Sequence, residues 1–292
     1  MSSLKSKIAD SPLLTGLVSP AVAARRHWAQ RKLSPKVEVY DRLCQLLVSD
    51  PVIRVAEFDG DFFIDKRSTL FRRLLTYGYY EPTLVERCVQ HIDVQKDIID
   101  IGANIGFYSV LFAKKVAAGQ RVLAVEPTKN AFERLTKNLE LNEVTSQVIT
   151  YNGVASNAMG EFEINTIPGK EEYSSLGVME HPSIVQEEYI SYKVPSSTLD
   201  ALVDEHKLNP GFVKIDVEGA EHLVLQGADT LLSKHRPVIL SEITNDLLKK
   251  NGASAQIIVD LIRSYNYKIV NPMFPGEPLE SRPYGDILCL PQ

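Results

Sequence analysis

Apolar positions recur along this chain with two periods, and the switches between them mark out its elements. Residues 37–52 place Val39, Leu43, Leu46 and Leu47 on one face at helical spacing, which predicts an amphipathic helix. Residues 53–65 alternate instead around Asp59-Gly60, which predicts a strand pair joined at a hairpin dipeptide. Two helices follow. Gly78 can end the first, and Glu81-Pro82 opens the second, proline being tolerated in a first helical turn. From Asp97 the chain repeats one unit: apolar runs at 98–102, 121–127, 147–153, 212–219 and 237–243 read as strands, with helical patterns between them. Gly119 is expected to cap a helix behind Lys114 and Lys115. Asn130 with Glu133 predicts a capping box ahead of Phe132, Leu135 and Leu139. Ser254 is expected to cap a helix carrying Ile257, Ile258, Leu261 and Ile262, and runs at 267–272 and 286–291 predict two last strands. Strands alternating with helices imply an α/β fold, a parallel sheet covered by helices on both faces.

The polar residues towards the ends of these strands fall at a regular interval. Asp100, Glu126, Asn152, Asp216 and Glu242 are separated by 26, 26, 64 and 26 positions. One interval matches one strand–helix step, so the long one marks an insertion, 154–198. It carries two strand-like runs, GEFEINT and YISYKVPSST, with Tyr173, His181, Tyr189 and Tyr192 in or between them. Those aromatics can pack a hairpin or stack on a ring-shaped ligand; the sequence leaves both open. Ligands of doubly wound sheets bind beyond the carboxyl ends of the strands, so all five strand-end residues are expected to face one crevice.

The stretch DIIDIGANIG, residues 97–106, is a strand, a glycine turn and a helix start in succession. Such a turn offers backbone N–H groups to an anion or a nucleotide. Glu126 ends the next strand, where a carboxylate can accept hydrogen bonds from both ribose hydroxyls. The glycines read GxxxG rather than GxGxxG, which disfavours a nicotinamide enzyme, and no GxxxxGK[ST] is present for a nucleotide triphosphatase.

The chain has 292 residues, enough for one large domain or one domain with an extension. Its net charge of −5 gives no general attraction to nucleic acid, and no nucleic-acid partner is expected. Cys44, Cys88 and Cys289 are far apart and form no CxxC, so neither a zinc site nor a disulfide framework is expected; a reducing, cytoplasmic setting fits. No apolar run approaches the roughly 20 residues that span a bilayer. Residues 1–36 hold one acid, Asp10, against seven lysines and arginines. They read as a loosely docked arm, with a transit peptide or an anchor for an anionic membrane surface as the alternatives.

Four strings then carry a specific likeness. DIGANIGFYS, AVEP, LELN and above all KIDVEGAE, together with GYYEP upstream and RPVILSEI downstream, resemble the FkbM family of S-adenosylmethionine-dependent methyltransferases over about residues 79–265. The resemblance implies a class I methyltransferase fold: a Rossmann-like, seven-stranded, mostly parallel sheet with an antiparallel last strand. It also implies O-methylation of a hydroxyl on a sugar, glycolipid or natural product. The domain division expected is an N-terminal extension, 1–80, and a methyltransferase domain, 81–292, with the insertion on the acceptor side.

Carried over residue by residue, Asp100, Gly102, Asn104 and Gly106 match the donor's glycine-rich motif, Glu126 the ribose-binding acid, and Asn152 lies near where adenine is expected. Asp216 ends the fourth strand closest to the transferred methyl. An alcohol needs a general base near neutral pH. Asp216 and Glu218 are the first candidates, followed by Glu221 and His222, which a helix-surface or packing role would explain equally well. Lys214 shares a strand face with Asp216, so the two should be paired or reach the crevice. Asp216, Glu242 and Asn245 are the residues that Mg²⁺ would need, but their spacing does not demand a metal and none is expected. The competing functions are methylation of a protein or RNA group, and a donor-binding scaffold without catalysis.

Overall fold

A computed structural model of the chain describes residues 49–166, 175–176, 190–281 and 285–292. The basic arm and the helix expected from residue 37 lie outside these residues except for 49–52, which are not helical. Asp50–Gln292 form one compact unit, so residues 50–80 pack with the sheet that follows.

The unit opens with β1 (Val52–Val55) and β2 (Gly60–Phe63), an antiparallel pair turned by Asp59 in the left-handed conformation. Helix α1 (Thr69–Tyr77) is capped by Ser68, whose Oγ accepts from Phe71 N at 3.0 Å, and ends at Gly78 with φ of 77°. Helix α2 (Pro82–His91) starts with proline at its first position.

The repeating part follows as β3 (Asp97–Ile101), α3 (Phe107–Lys115), β4 (Val122–Val125), α4 (Lys129–Leu141) and β5 (Val148–Tyr151). The insertion supplies β6 (Val154–Ala155), β7 (Gly160–Thr166), β8 (Ser175–Leu176) and β9 (Ile190–Ser197). The chain then returns through α5 (Leu199–His206), β10 (Pro210–Ile215), α6 (Glu221–Gln226), β11 (Val238–Glu242), α7 (Asn245–Lys250) and α8 (Ala255–Ser264) to β12 (Tyr267–Val270) and β13 (Asp286–Pro291). The central sheet has seven strands in the order β12-β13-β11-β10-β3-β4-β5. Strand β13 runs antiparallel to both its neighbours; β11, β10, β3, β4 and β5 are parallel. Every residue of β3, β4 and β10 is buried, which is why these strands read as continuous apolar runs rather than alternating ones.

Two helix ends differ from expectation, each for a tertiary reason. Helix α3 stops at Lys115, not near Gly119, because Ala117 N donates to Val94 O and draws the chain away. Helix α4 begins one residue before Asn130. Thr128 is its N-cap, so Asn130 lies inside the first turn and opens no capping box with Glu133; the Thr128 hydroxyl donates to Glu126 Oε1 at 2.6 Å.

The insertion folds as a second sheet, β6-β9-β7-β8, around Val154, Ile164 and Val194 with Tyr192 and Phe162 packed beside them. Tyr192 is therefore hairpin packing, and its phenol oxygen also accepts from Lys129 N at the start of α4. Tyr173, His181 and Tyr189 lie outside the described residues.

The hairpin β1–β2 is fixed to the domain in two ways. Phe58 and Phe62 pack against Phe107 with ring centroids 4.9 and 4.4 Å away. On the other side, two asparagines one turn apart, Asn138 on α4 and Asn142 at its C-cap, take the place of a partner strand. Asn138 Oδ1 accepts from Phe63 N at 2.7 Å and its Nδ2 donates to Phe63 O; Asn142 Oδ1 accepts from Asp61 N at 3.0 Å and its Nδ2 donates to Asp61 O. Alternate residues of an edge strand point the same backbone groups outward, and the i, i+4 spacing of a helix meets them. Asn138 Nδ2 also donates to Ile105 O at 2.8 Å, tying the hairpin to the glycine turn.

Candidate active site

At the carboxyl ends of β3, β4 and β10 lies a cavity of about 360 Å³, within the usual range for a small-molecule site of about 300–1,000 Å³. Its wall combines the glycine turn, the ends of β4 and β10, Val154 and Ala155 from the insertion, and Thr69, Leu70, Arg73 and Tyr80 from the residues ahead of the repeating part.

The turn 102–106 is held by its neighbours on both sides. Gly102 N and Ala103 N both donate to Val125 O, at 2.9 and 3.0 Å. Gly102 has φ of +78°, and a Cβ there would sit 1.8 Å from Asp216 O, so only glycine lets the end of β10 pass. Asn104 also has positive φ, 49°, and its N–H donates to Glu126 Oε2 at 2.8 Å. The other Glu126 oxygen accepts from Thr128 N at 2.8 Å as well as from the Thr128 hydroxyl. Burial pushes the Glu126 pKa up to about 6, against the pull of these donors. Asp100 is buried beneath the turn; its Oδ2 accepts from Ser109 Oγ at 2.6 Å, and its Oδ1 has no hydrogen-bond partner. Burial raises its pKa, with Lys214 and Ser109 opposing.

The string KIDVEGAE is explained almost residue by residue. Lys214 Nζ pairs with Asp216 Oδ2 at 3.0 Å, as their shared face requires, and lies 4.6 Å from the centroid of the Tyr108 ring. Burial works against the ammonium, but the charges of Asp216, Asp100 and Glu81 outweigh it and hold the lysine protonated. The Asp216 side chain remains 34% exposed on the cavity wall. Glu218 and Gly219 then adopt positive φ, 52° and 99°, which turns the chain sharply; Glu218 lines the cavity. Glu221 closes the turn from inside: its Oε1 accepts from Gly219 N at 3.0 Å and Val217 N at 3.3 Å. Burial pushes its pKa up to about 7.

Of the residues expected at the site, Asp100, Gly102, Asn104, Glu126, Asp216, Glu218 and Glu242 line the cavity. Five others are placed differently. Glu221 is buried as the latch of the 217–221 turn, and His222 is buried behind it; neither lines the cavity. Gly106 caps α3 and packs against Leu135. Asn152, expected beside adenine, instead donates through Nδ2 to Glu126 O at 2.8 Å and to Pro127 O, so it braces the end of β4 from outside the wall. Asn245 also leaves the crevice: its Oδ1 accepts from Ala255 N at the start of α8. Of the tyrosines ahead of the repeating part, Tyr77 and Tyr79 are exposed and only Tyr80 lines the cavity.

Three residues were missed. Arg73, on α1, has no motif around it. Asp286 is the Cα partner of Glu242 across β11 and β13, and burial together with Glu242 pushes its pKa up to about 7. Glu81, which the sequence marks only as a helix start, lines the cavity, and its Oε2 accepts from the Tyr108 hydroxyl at 3.1 Å.

This strand order, the antiparallel β13 inside the sheet's edge and an acid-lined cavity over a glycine turn define an α/β protein of the class I methyltransferase type. Comparison with known proteins agrees. The model for the methyltransferase FkbM domain matches residues 100–269, and the chain belongs to that family of methyltransferases. It is 26% identical over 176 residues to methyltransferase sdnD of Sordaria araneosa, covering 51% of this chain and 68% of that protein. It is 28% identical over 163 residues to the hexuronic acid methyltransferase AglP of Haloferax volcanii, covering 55% of this chain and 61% of AglP. Among solved structures, a methyltransferase FkbM from Methylobacillus flagellatus aligns with a TM-score of 0.43 and 19% identity, over 68% of this chain and 44% of that one. No helix among the described residues is long and apolar enough to cross a membrane.

Proposed function

We propose that the chain is an O-methyltransferase that uses S-adenosylmethionine to methylate a hydroxyl of a sugar, glycolipid or other small molecule. The observation that carries this reading is the placement of two differently treated acids on one cavity. Glu126 is buried, aimed by three donors at the end of β4; Asp216 is partly exposed and fixed by a lysine at the end of β10. The donor fits the residues present: Glu126 Oε2, which accepts from Asn104 N alone, keeps a lone pair for a ribose hydroxyl, and the unpartnered Asp100 Oδ1 is available to the donor's ammonium. When bound, S-adenosylmethionine supplies an electrophilic methyl on a positively charged sulfur.

The chain's own residues do the rest. Asn104 N–H and Thr128 hold the Glu126 carboxylate ready for the ribose. Lys214 binds Asp216 Oδ2 and leaves Oδ1 to accept the proton of an acceptor hydroxyl. A positioned base of this kind typically contributes about 10²–10⁴-fold. Glu218, beside Asp216 on the wall, orients the acceptor. Glu221 and His222 hold the turn that carries them. The insertion and residues 69–80, which both contribute to the wall, are assigned to acceptor choice. A sugar acceptor is supported by the likeness to the hexuronic acid methyltransferase of Haloferax volcanii.

The test is methyl transfer from labelled donor to a panel of uronic acids, neutral sugars and phenols by the wild type and by Asp216→Asn. The reading expects at least one acceptor to be methylated, and Asp216→Asn to cut turnover about 100-fold or more while still binding the donor. A wild type that binds donor and methylates nothing in the panel supports a scaffold instead.

A further inference from the structure

We propose that Arg73 binds a carboxylate in this cavity, carried either by the amino-acid tail of the donor or by an acidic acceptor. The proposal rests on the methyltransferase reading above. Arg73 and Lys214 are the cations that line the cavity among the described residues. Lys214 is committed to Asp216. Arg73 makes no hydrogen bond or ion pair with the described residues; its guanidinium lies over the face of Tyr80, 5.0 Å from the ring centroid. The other charged groups of the wall are all acids: Glu81, Asp100, Glu126, Asp216, Glu218 and Glu242. An arginine that shares a wall with six acids and pairs with none of them keeps its donors for a ligand.

The guanidinium is also held in place. Tyr80 packs against Phe107 and Phe58 at 5.7 and 6.3 Å between centroids, so the ring beneath Arg73 is itself anchored. The start of α1 is fixed too: Asp65, just ahead of it, pairs with Arg67 at 2.8 Å and with Arg134 of α4 at 3.0 Å. A planar fork stacked on an aromatic ring loses little freedom when it takes up a carboxylate, and its geometry matches two carboxylate oxygens at once. The acids serve the ammonium and hydroxyl groups of a ligand; Arg73 serves its negative end.

The test is calorimetric titration of the full chain as wild type, Arg73→Met and Arg73→Lys. The first probes are S-adenosylhomocysteine and 5′-methylthioadenosine, which share the nucleoside and the thioether but differ in the amino-acid tail. D-glucuronate and D-glucose are then titrated with S-adenosylhomocysteine bound. Because Arg73 is exposed, the expected loss is about tenfold, the lower end for a charge-assisted hydrogen bond. If the carboxylate is the donor's, Arg73→Met weakens S-adenosylhomocysteine about tenfold and leaves methylthioadenosine within about twofold. If it is the acceptor's, glucuronate loses affinity and glucose does not. In either case Arg73→Lys recovers part of the loss. The proposal is overturned if Arg73→Met leaves every probe within about twofold, or weakens methylthioadenosine as much as S-adenosylhomocysteine. A wild type that binds neither nucleoside overturns the donor reading itself, and that result is read before any variant is measured.

Discussion

Replacing Asn138 with alanine is expected to loosen the donor turn as well as the hairpin that packs beside it. Asn138 is fully buried, and its carboxamide serves three backbone groups at once: Phe63 N, Phe63 O and Ile105 O. Two of these bonds are short, 2.7 Å to Phe63 N and 2.8 Å to Ile105 O. A buried backbone group left without a partner costs about 1–3 kcal/mol. The longer bond to Phe63 O adds little, so the expected loss is about 2–4 kcal/mol. Asn142 serves the same strand one turn away, but its site is partly exposed and water can replace it, so Asn142→Ala should cost about 1 kcal/mol. For a unit of this size 1 kcal/mol shifts the melting temperature by about 2–4 °C, which puts Asn138→Ala about 4–16 °C below the wild type and Asn142→Ala about 2–4 °C below it. Ile105 also lines the cavity, so Asn138→Ala should weaken S-adenosylhomocysteine binding while Asn142→Ala should not. Urea unfolding with matched m-values, followed by calorimetry, measures both effects. The reasoning is refuted if the two variants are destabilised equally, or if Asn138→Ala costs less than about 1 kcal/mol.

Two further substitutions probe the turns around the cavity. Gly102→Ala drives a Cβ into Asp216 O and requires a positive φ from alanine; it should abolish donor binding and lower the urea midpoint by more than any surface alanine, and normal binding would show that the turn has slack. Glu221→Gln keeps the acceptor oxygen of the latch but removes an ionisation that burial disfavours. The folded pKa of about 7 lies above the ordinary value of 4.5. The wild type should therefore lose stability as pH rises from about 4.5 to 7 and hold level beyond, by about 3 kcal/mol at most. Glu221→Gln should flatten that slope and exceed the wild type at pH 8; an unchanged slope places the titration elsewhere.

The architecture was largely legible because its signals are local. Strands buried on both faces write continuous apolar runs, the glycine at 78 answers to a turn its own helix defines, and the interval between Asp100, Glu126, Asp216 and Glu242 reports the step of the fold directly. What was missed depends on partners distant in sequence. Asn130 looked like a helix start because nothing nearby shows that Thr128, its hydroxyl held by Glu126, takes the cap position. Asn152 carries the right residue type at the right interval, yet the backbone of the neighbouring strand end claims its amide. Glu221 and Asp216 are equivalent acids in the string; only the folding back of the 217–221 turn separates the latch from the cavity-facing carboxylate. Arg73 could not be found by motif, since its relevance comes from the Tyr80 ring under it and the acids that share its wall.

The central claim is that Glu126 and the glycine turn form a donor site for an adenosyl sulfonium. Its most direct test is calorimetric titration of the wild type and Glu126→Ala with S-adenosylmethionine, S-adenosylhomocysteine and NAD. The account predicts binding of both adenosyl ligands, none of NAD, and a loss of at least about tenfold in Glu126→Ala, the scale of a charge-assisted hydrogen bond to the ribose. Preference for NAD, or adenosyl binding that Glu126→Ala leaves unchanged, would contradict it.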